Sequence, residues 1–568
     1  MLAEERPKSS TRAQAQTHYD AIVIGAGFGG IRAIYELRNM GLSVKVFEAA
    51  TDVGGTWYWN RYPGARTDSE AWSYCYSFSQ ELQDDWVWTE RMPTWEQVLA
   101  YLRHVTDRFD LRKDIQFNTR VTSATYDEAS NRWAVGTEHG ERFTCDYLVS
   151  AMGILTIPIT PPFKGFENFK GEKYLSCRWP HEPVDFAGKR VALVGSGATA
   201  VQILPIVAQT AEHVTMFQRT PNYVMPGRNH PIDSSQRAGI KANRDALWKL
   251  IRQQVFAFPM EPANRLFSET PPEKRQAIFD AGWEAGGFRF VFTTFDDLIV
   301  NPEANEAAAE FIRNKIRAIV KDPKTADLLC PKYAFAIKRP PLGNFYFESF
   351  NQPNVSLVDV SGNPIEEITE TGLRTATESY EFDMLIFALG FDAVTGSLTH
   401  MNVAGRGGQT IKDRWAHGPH TQLGIMVDGF PNFFMISGPH TPFSNFPPAI
   451  EAEVEWIGHA IRTLREEGHA SIEPTAQSVE AWGRHMQEML DMTLLGAGTK
   501  VNTWYLGANL PGKTPSVLFY FGGAGAYFQE LEQSKEQGLP GFVFHDLPER
   551  RAGASASAAR SKQPPVTA

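Results

Sequence analysis

Apolar and polar positions along the chain fall into a pattern that occurs twice. Residues 19–24 (YDAIVI) form a short, almost wholly apolar run that predicts a buried strand. The segment IRAIYELRNMG follows, with Ile31, Ile34 and Leu37 at helical spacing and Gly41 as a stop. A second strand, SVKVFE, ends in Glu48. The same succession returns from Lys189, where KRVALV precedes a helical stretch and the strand HVTMFQ. Between the two units, residues 94–109 read as an amphipathic helix and 115–150 as a meander of short strands. DYLVSAMG (146–153) is the closing strand of that meander. Pro158, Pro161 and Pro162 then make a rigid linker and a domain boundary. Residues 230–330 carry few strand signals and read as a helical insertion, whose aromatics are expected to serve helix packing. Further on, VSLVDV and FDMLIFALGFD read as strands, as does GFPNFFMISGP (429–439). AIEAEVEWIGHAIRTLREEG reads as a helix, NTWYLGANLPGK (502–513) as a loop, and VLFYFGG as a final strand.

The turns between strand and helix carry the chemistry. In the first unit Gly25, Gly27 and Gly30 satisfy G-x-G-x-x-G, with an acid, Glu48, ending the next strand. This spacing allows a tight turn, close approach of a pyrophosphate, close helix–sheet packing, and an acceptor for a ribose 2′-hydroxyl. The second turn, Gly195-Ser196-Gly197-Ala198-Thr199-Ala200, is a G-x-G-x-x-A. Here Arg219-Thr220 stands where the first unit has its acid, which suits a 2′-phosphate and so NADPH. The fold class is therefore α/β, with two dinucleotide-binding (Rossmann-like) domains, for FAD and NADPH, and a helical insertion. The expected boundaries are 18–155 with 385–548 for the FAD domain, 156–229 with 336–384 for the NADPH domain, and 230–335 for the insertion. Residues 1–17 and 549–568 are expected to be disordered.

Composition narrows the class. The 568 residues are 42% hydrophobic and 21% charged, with a net charge of −10, so the chain is globular and no nucleic-acid surface is expected. Cys75, Cys145, Cys177 and Cys330 have neither metal spacing nor C-x-x-C spacing, so no metal site is expected and a cytoplasmic location is. No apolar run reaches the roughly 20 residues of a membrane helix, and no signal peptide is evident.

After Glu48 comes TDVGGTWYWNRYPGARTD, where Gly54-Gly55 lets a loop lie against a ligand and Trp57, Tyr58, Trp59 and Tyr62 supply flat surfaces. Arg66-Thr67-Asp68 follows, and this arrangement favours an isoalloxazine neighbour. Lys338-Arg339 sits just before Pro340-Pro341, in a loop.

Across about residues 19–545 the sequence resembles the type I Baeyer–Villiger monooxygenases. GGTWYWNRYPGARTD matches one family signature, and FKGEKYLSCRWP (169–180) matches a second at Phe169, Gly171, Trp179 and Pro180. The second departs at its histidine position, where Leu175 stands. The resemblance places that stretch in the linker coupling the domains, so the departure bears on coupling rather than on flavin chemistry. It implies that Arg339 stabilises a C4a-peroxyflavin and the adduct formed from it, with Asp68 orienting that arginine. Lys338 and Arg219-Thr220 would hold the 2′-phosphate, and Trp504 would close over bound NADP. Gly55, Thr56, Trp57, Asp68, Tyr74 and Val121 fall at flavin-contacting positions, and Ser196, Thr199 and Ala200 at NADPH-contacting ones. The implied reaction inserts one oxygen atom of O2 into a ketone to give an ester or lactone. Partners are then the ketone and O2, with no nucleic acid, no membrane, and a monomer or weak oligomer. Phe443, Phe446 and Pro447 point to an apolar pocket. N- or S-oxygenation, and an uncoupled NADPH oxidase, remain as alternatives.

Overall fold

The computed structural model describes residues 17–546. The expectations for 1–16 and 549–568 lie outside that range, while Thr17 accepts the Thr144 N–H at 2.8 Å. The strand His18–Ile24 pairs in parallel with Val44–Phe47 on one side and Arg142–Ser150 on the other. It is buried because its next layer is the helix Phe28–Asn39, which turns Ile31, Ile34 and Leu37 inward. The sheet continues through Ile115–Gln116 at one edge and through the antiparallel strands Arg132–Thr137 and Val121–Asp127 to Asn402–Ala404 at the other. Phe433–Met435, from far downstream, adds in parallel to Arg142–Ser150.

A second, wholly parallel sheet has the order Val355–Asp359, His213–Gln218, Arg190–Val194, Met384–Phe387, Glu172–Leu175. All of Met384–Phe387 belongs to it, so the return to the first sheet comes after Phe387 and not at 385. Parallel strands buried on both faces read as continuous apolar runs, which is how RVALV and MLIF read. The FKGEKYLSCRWP stretch is no simple linker: Glu172–Leu175 is the edge strand of this sheet, and Ser176–Arg178 a 3-10 turn leaving it.

Residues 230–335 carry the helices Ser234–Ala242, Arg244–Gln253, Pro272–Ala285, Arg289–Thr293, Pro302–Ile319 and Pro323–Leu329. Their neck is a short parallel pair, Met225–Pro226 with Leu342–Gly343. VLFYFGG is not a strand. It makes one isolated bridge, Pro442 to Tyr520, and buries its side chains against helices. The last strand is Phe542–His545, antiparallel to Ser471–Pro474. The apolar loop at 440–450 ends inside the helix Phe446–Glu467. Among the described residues no helix is long and apolar enough to cross a membrane.

Candidate active site

Each glycine turn sits at the C-terminal end of an interior strand of its sheet, His18–Ile24 in the first and Arg190–Val194 in the second. Gly25 has φ +101°, and a Cβ there would lie 2.6 Å from the Ala151 carbonyl oxygen. A Cβ on Gly30 would lie 1.9 Å from the Gly25 oxygen, so the helix can approach the strand this closely only without a side chain. Gly27 faces Gly55, whose loop is tied to the turn by Gly54 N–H to the Ala26 oxygen at 3.0 Å. No side chain caps the helix Phe28–Asn39 at Gly27, nor the helix Ala198–Val207 at Gly197. Their first N–H groups are left for an anion, so both turns fit a pyrophosphate.

Glu48 is buried at the end of the second strand. One carboxylate oxygen accepts from Ala26 N–H at 2.7 Å and the other from Ala50 N–H at 2.8 Å. Burial raises this carboxyl above its usual range, and the two N–H groups oppose the rise. Each oxygen keeps a lone pair, as a ribose hydroxyl requires. Thr119 N–H donates to the Glu48 carbonyl at 2.9 Å, which brings the start of the Val121–Asp127 strand to the same end of the sheet.

The aromatic loop folds into a single turn, Thr56–Trp59. Thr56 is exposed and Trp57 buried. The Trp57 Nε1–H donates to the Tyr74 hydroxyl at 3.2 Å, with the rings edge to face at 5.7 Å. Burial pushes the Tyr74 phenol up to about 12.

At the second turn the Ser196 hydroxyl donates to the Thr220 carbonyl at 2.6 Å, closing the turn onto the end of the neighbouring strand. Thr199 is half-buried and Ala200 buried. A Cβ on Gly197 would meet nothing within 4 Å, so open space fronts the turn. Arg219 is exposed, and its charge acts on Lys338. Burial first, then Arg219, pulls the Lys338 ammonium down to about 8. Two neighbouring cations that form no ion pair with a carboxylate among the described residues fit a phosphate.

The two halves meet at Arg339. Its Nη2 donates to Oδ2 of Asp68, whose side chain is 6% exposed. Burial raises the Asp68 carboxyl and the guanidinium opposes that rise. Tyr62, Tyr74 and Tyr505 all lie within the field of Arg339. Tyr62 also donates to the Gln202 Oε1 at 3.0 Å, from the first unit to the second. Tyr505 packs on Phe443 at 4.6 Å between ring centroids, and Trp504 meets Phe443 edge to face at 5.7 Å. Phe443 contacts Phe256 at 5.9 Å, and Phe256 contacts Phe292 at 4.6 Å. Phe256 and Phe292, expected to serve packing of the insertion, do so, and through Phe443 this run of rings reaches Tyr505 beside Arg339. Tyr505 and Gln202 were missed in the sequence. Tyr505 has a readable signal, since it adjoins Trp504, but Gln202 has none.

The flavin-binding monooxygenase-like family model matches residues 19–233. A Baeyer–Villiger monooxygenase of Pseudooceanicola batsensis is 45% identical over 92% of this chain and 96% of its own length. The phenazine N-monooxygenase PhzNO1 of Lysobacter antibioticus is 42% identical over 94% and 98%. The crystal structure of cyclohexanone monooxygenase from Rhodococcus sp. Phi1 bound to NADP+ superposes with TM-score 0.91 at 42% identity, over 94% of this chain and all of that one. The chain belongs to the Baeyer–Villiger monooxygenases, FAD-containing and NADPH-dependent enzymes of the flavin-binding monooxygenase-like family.

Proposed function

We propose that this enzyme inserts one oxygen atom of O2 into an apolar ketone, cyclic or aryl-substituted, to give a lactone or ester. The observation that carries this reading is the Arg339–Asp68 pair at the edge of the Tyr505, Phe443, Phe256 and Phe292 wall. In this reading the first sheet and its returning strand carry FAD, and the second sheet carries NADPH. Bound flavin supplies oxygen activation, and the chain supplies position and charge. Gly25, Gly27, Gly30, Glu48 and Gly55 hold the flavin nucleotide. Gly195, Ser196, Gly197, Arg219, Thr220 and Lys338 hold the nicotinamide nucleotide. Arg339 presents a fixed cation to the negative charge that develops as oxygen is transferred, and Asp68 keeps that cation in place. The aromatic wall desolvates the ketone and selects for ring-shaped or aryl groups. Four buried unpaired cysteines support a reducing, cytoplasmic location.

The test supplies purified holoenzyme with NADPH and a panel of cyclic, aryl and short linear ketones. NADPH consumption matched by ester or lactone on mass analysis for the ring-bearing ketones is the expected result. Turnover restricted to short linear ketones would refute the assignment of the wall. The likeness to a phenazine N-monooxygenase favours a second reading, oxygenation of a ring nitrogen. An aromatic N-heterocycle in the same panel, yielding N-oxide faster than any ketone yields ester, would put that reading first.

A further inference from the structure

The Thr56–Trp59 turn is gripped from the second unit by residues just beyond its edge strand. The Arg178 guanidinium lies 4.5 Å from the centroid of the Trp59 ring. It is held there by its own hydrogen bonds, to the Cys177 carbonyl at 2.9 Å and the Thr156 carbonyl at 3.4 Å. Three residues further on, His181 Nδ1 lies 2.6 Å from Arg61 Nη1, and its ring meets Tyr58 edge to face at 5.4 Å. Arginine can only donate, so Nδ1 accepts. Arg61 in turn lies over Tyr58 at 4.7 Å. Trp57, on the same single turn, reaches Tyr74 beside Arg339. Trp57 and Trp59 share this one turn, so a backbone shift of the turn carries both indoles. Leu175 takes no part in this grip, since it pairs with Phe387 and packs against the core cluster that holds that ring.

We propose that Arg178 is a positioning residue of the oxygenation reaction: through Trp59 it fixes the Trp57 turn against the second unit. This rests on the reading given under Proposed function. The consequence is on coupling. With the turn held, the flavin side and the nicotinamide side keep one relation while oxygen is being transferred. With it loose, reducing equivalents from NADPH leave as hydrogen peroxide, O2 taking up two electrons and two protons.

The experiment compares Arg178→Met, Trp59→Leu, the double variant and Arg178→Lys as holoenzymes with a ketone the parent oxygenates. Hydrogen peroxide released per NADPH is the readout, beside flavin content and the rate of flavin reduction at saturating NADPH. Arg178→Met is expected to raise the ratio of peroxide to ester about three- to tenfold, the range of one cation–π contact on Trp. Flavin content and reduction rate stay within about twofold. Trp59→Leu does the same, and the double variant is no worse than the worse single one, as partners in one contact require. Arg178→Lys recovers part of the coupling. If Arg178→Met does not accumulate folded, Arg178→Lys replaces it with a smaller expected rise. An unchanged ratio, or effects of the two single variants that multiply, overturns the proposal. A parent that makes no ester from any ketone refutes the functional reading instead.

Discussion

Arg339 donates through Nη2 to the Asp68 carboxylate across 271 residues of chain, joining the loop after the helical insertion to the loop after the flavin-side turn. The carboxylate is almost wholly buried and the guanidinium is 30% exposed, so the charge that faces the open side is positive. In the function proposed above, this cation faces the step in which oxygen carries negative charge. Arg339→Ala is therefore expected to reduce its flavin with NADPH at near the parent rate while ester formation falls by roughly 10²–10³, the usual cost of one such donor. Stopped-flow reduction and product mass separate the two. Normal ester yield from the variant would remove Arg339 from its role.

Lys338 and Arg219 make a second pairwise prediction. Each charged contact to a phosphate is worth about 1.5–3 kcal/mol, so Lys338→Met and Arg219→Ala should each raise the KM for NADPH about 10- to 100-fold. The KM for NADH, which lacks the phosphate, should hardly move. The lysine also sets a pH dependence. Its ammonium, pulled down to about 8, is charged below that value and lost above it. The KM for NADPH should accordingly rise as pH passes about 8, and Lys338→Met should flatten that rise. Equal effects on NADPH and NADH would show that neither cation reads the phosphate.

Two glycines of like appearance should behave oppositely. Gly30→Ala puts a methyl 1.9 Å from the Gly25 oxygen, and both atoms are held by backbone. The helix must move off the strand, so the variant is expected to purify without flavin or not at all. Gly197 has open space in front of it and ordinary φ, so Gly197→Ala should fold and keep its flavin. Its methyl enters the space in which NADPH approaches the turn, and the KM for NADPH should rise. Flavin-to-protein absorbance ratios for both variants check this; a flavin-replete Gly30→Ala protein would contradict the crowding argument.

That contrast also shows what was legible in the sequence. The paired glycine turns were legible because their spacing records crowding of backbone on backbone, which no side chain can evade. The acid ending one strand and the arginine ending the other were legible because each lies at a fixed place after its glycines. The edge strand Glu172–Leu175 was not. Its partner, Met384–Phe387, comes from far along the chain, and nothing local marks the pairing. VLFYFGG failed for another reason. Its apolar run is satisfied by rings, Tyr520 stacking on Trp482 at 5.7 Å, and not by a ladder. Periodicity reports that a segment is buried, not what buries it. Phe256 and Phe292 do pack within the insertion as expected, on one another and on Phe258 and Phe288; what no local pattern marks is that Phe256 also meets Phe443, from far downstream.

Glu453 carries the last prediction. It is fully buried in the helix Phe446–Glu467, with one oxygen accepting from Ser437 N–H at 2.6 Å and the other without a partner. Burial pushes this carboxyl up to about 8 from an ordinary value of 4.5. The folded protein therefore holds a proton there, between those two values, that the unfolded chain has released. Stability from this group is complete below the ordinary carboxylate range, is lost as pH rises, and levels off above about 8. The slope within the window is at most about 1.4 kcal/mol per pH unit. Glu453→Gln keeps the acceptor for Ser437 and has no proton to lose. Its thermal midpoint should match or trail the parent at pH 5 and exceed it at pH 9, the two curves crossing between. Parallel curves would mean that Glu453 is ionised in the folded protein and that its unpartnered oxygen finds a donor.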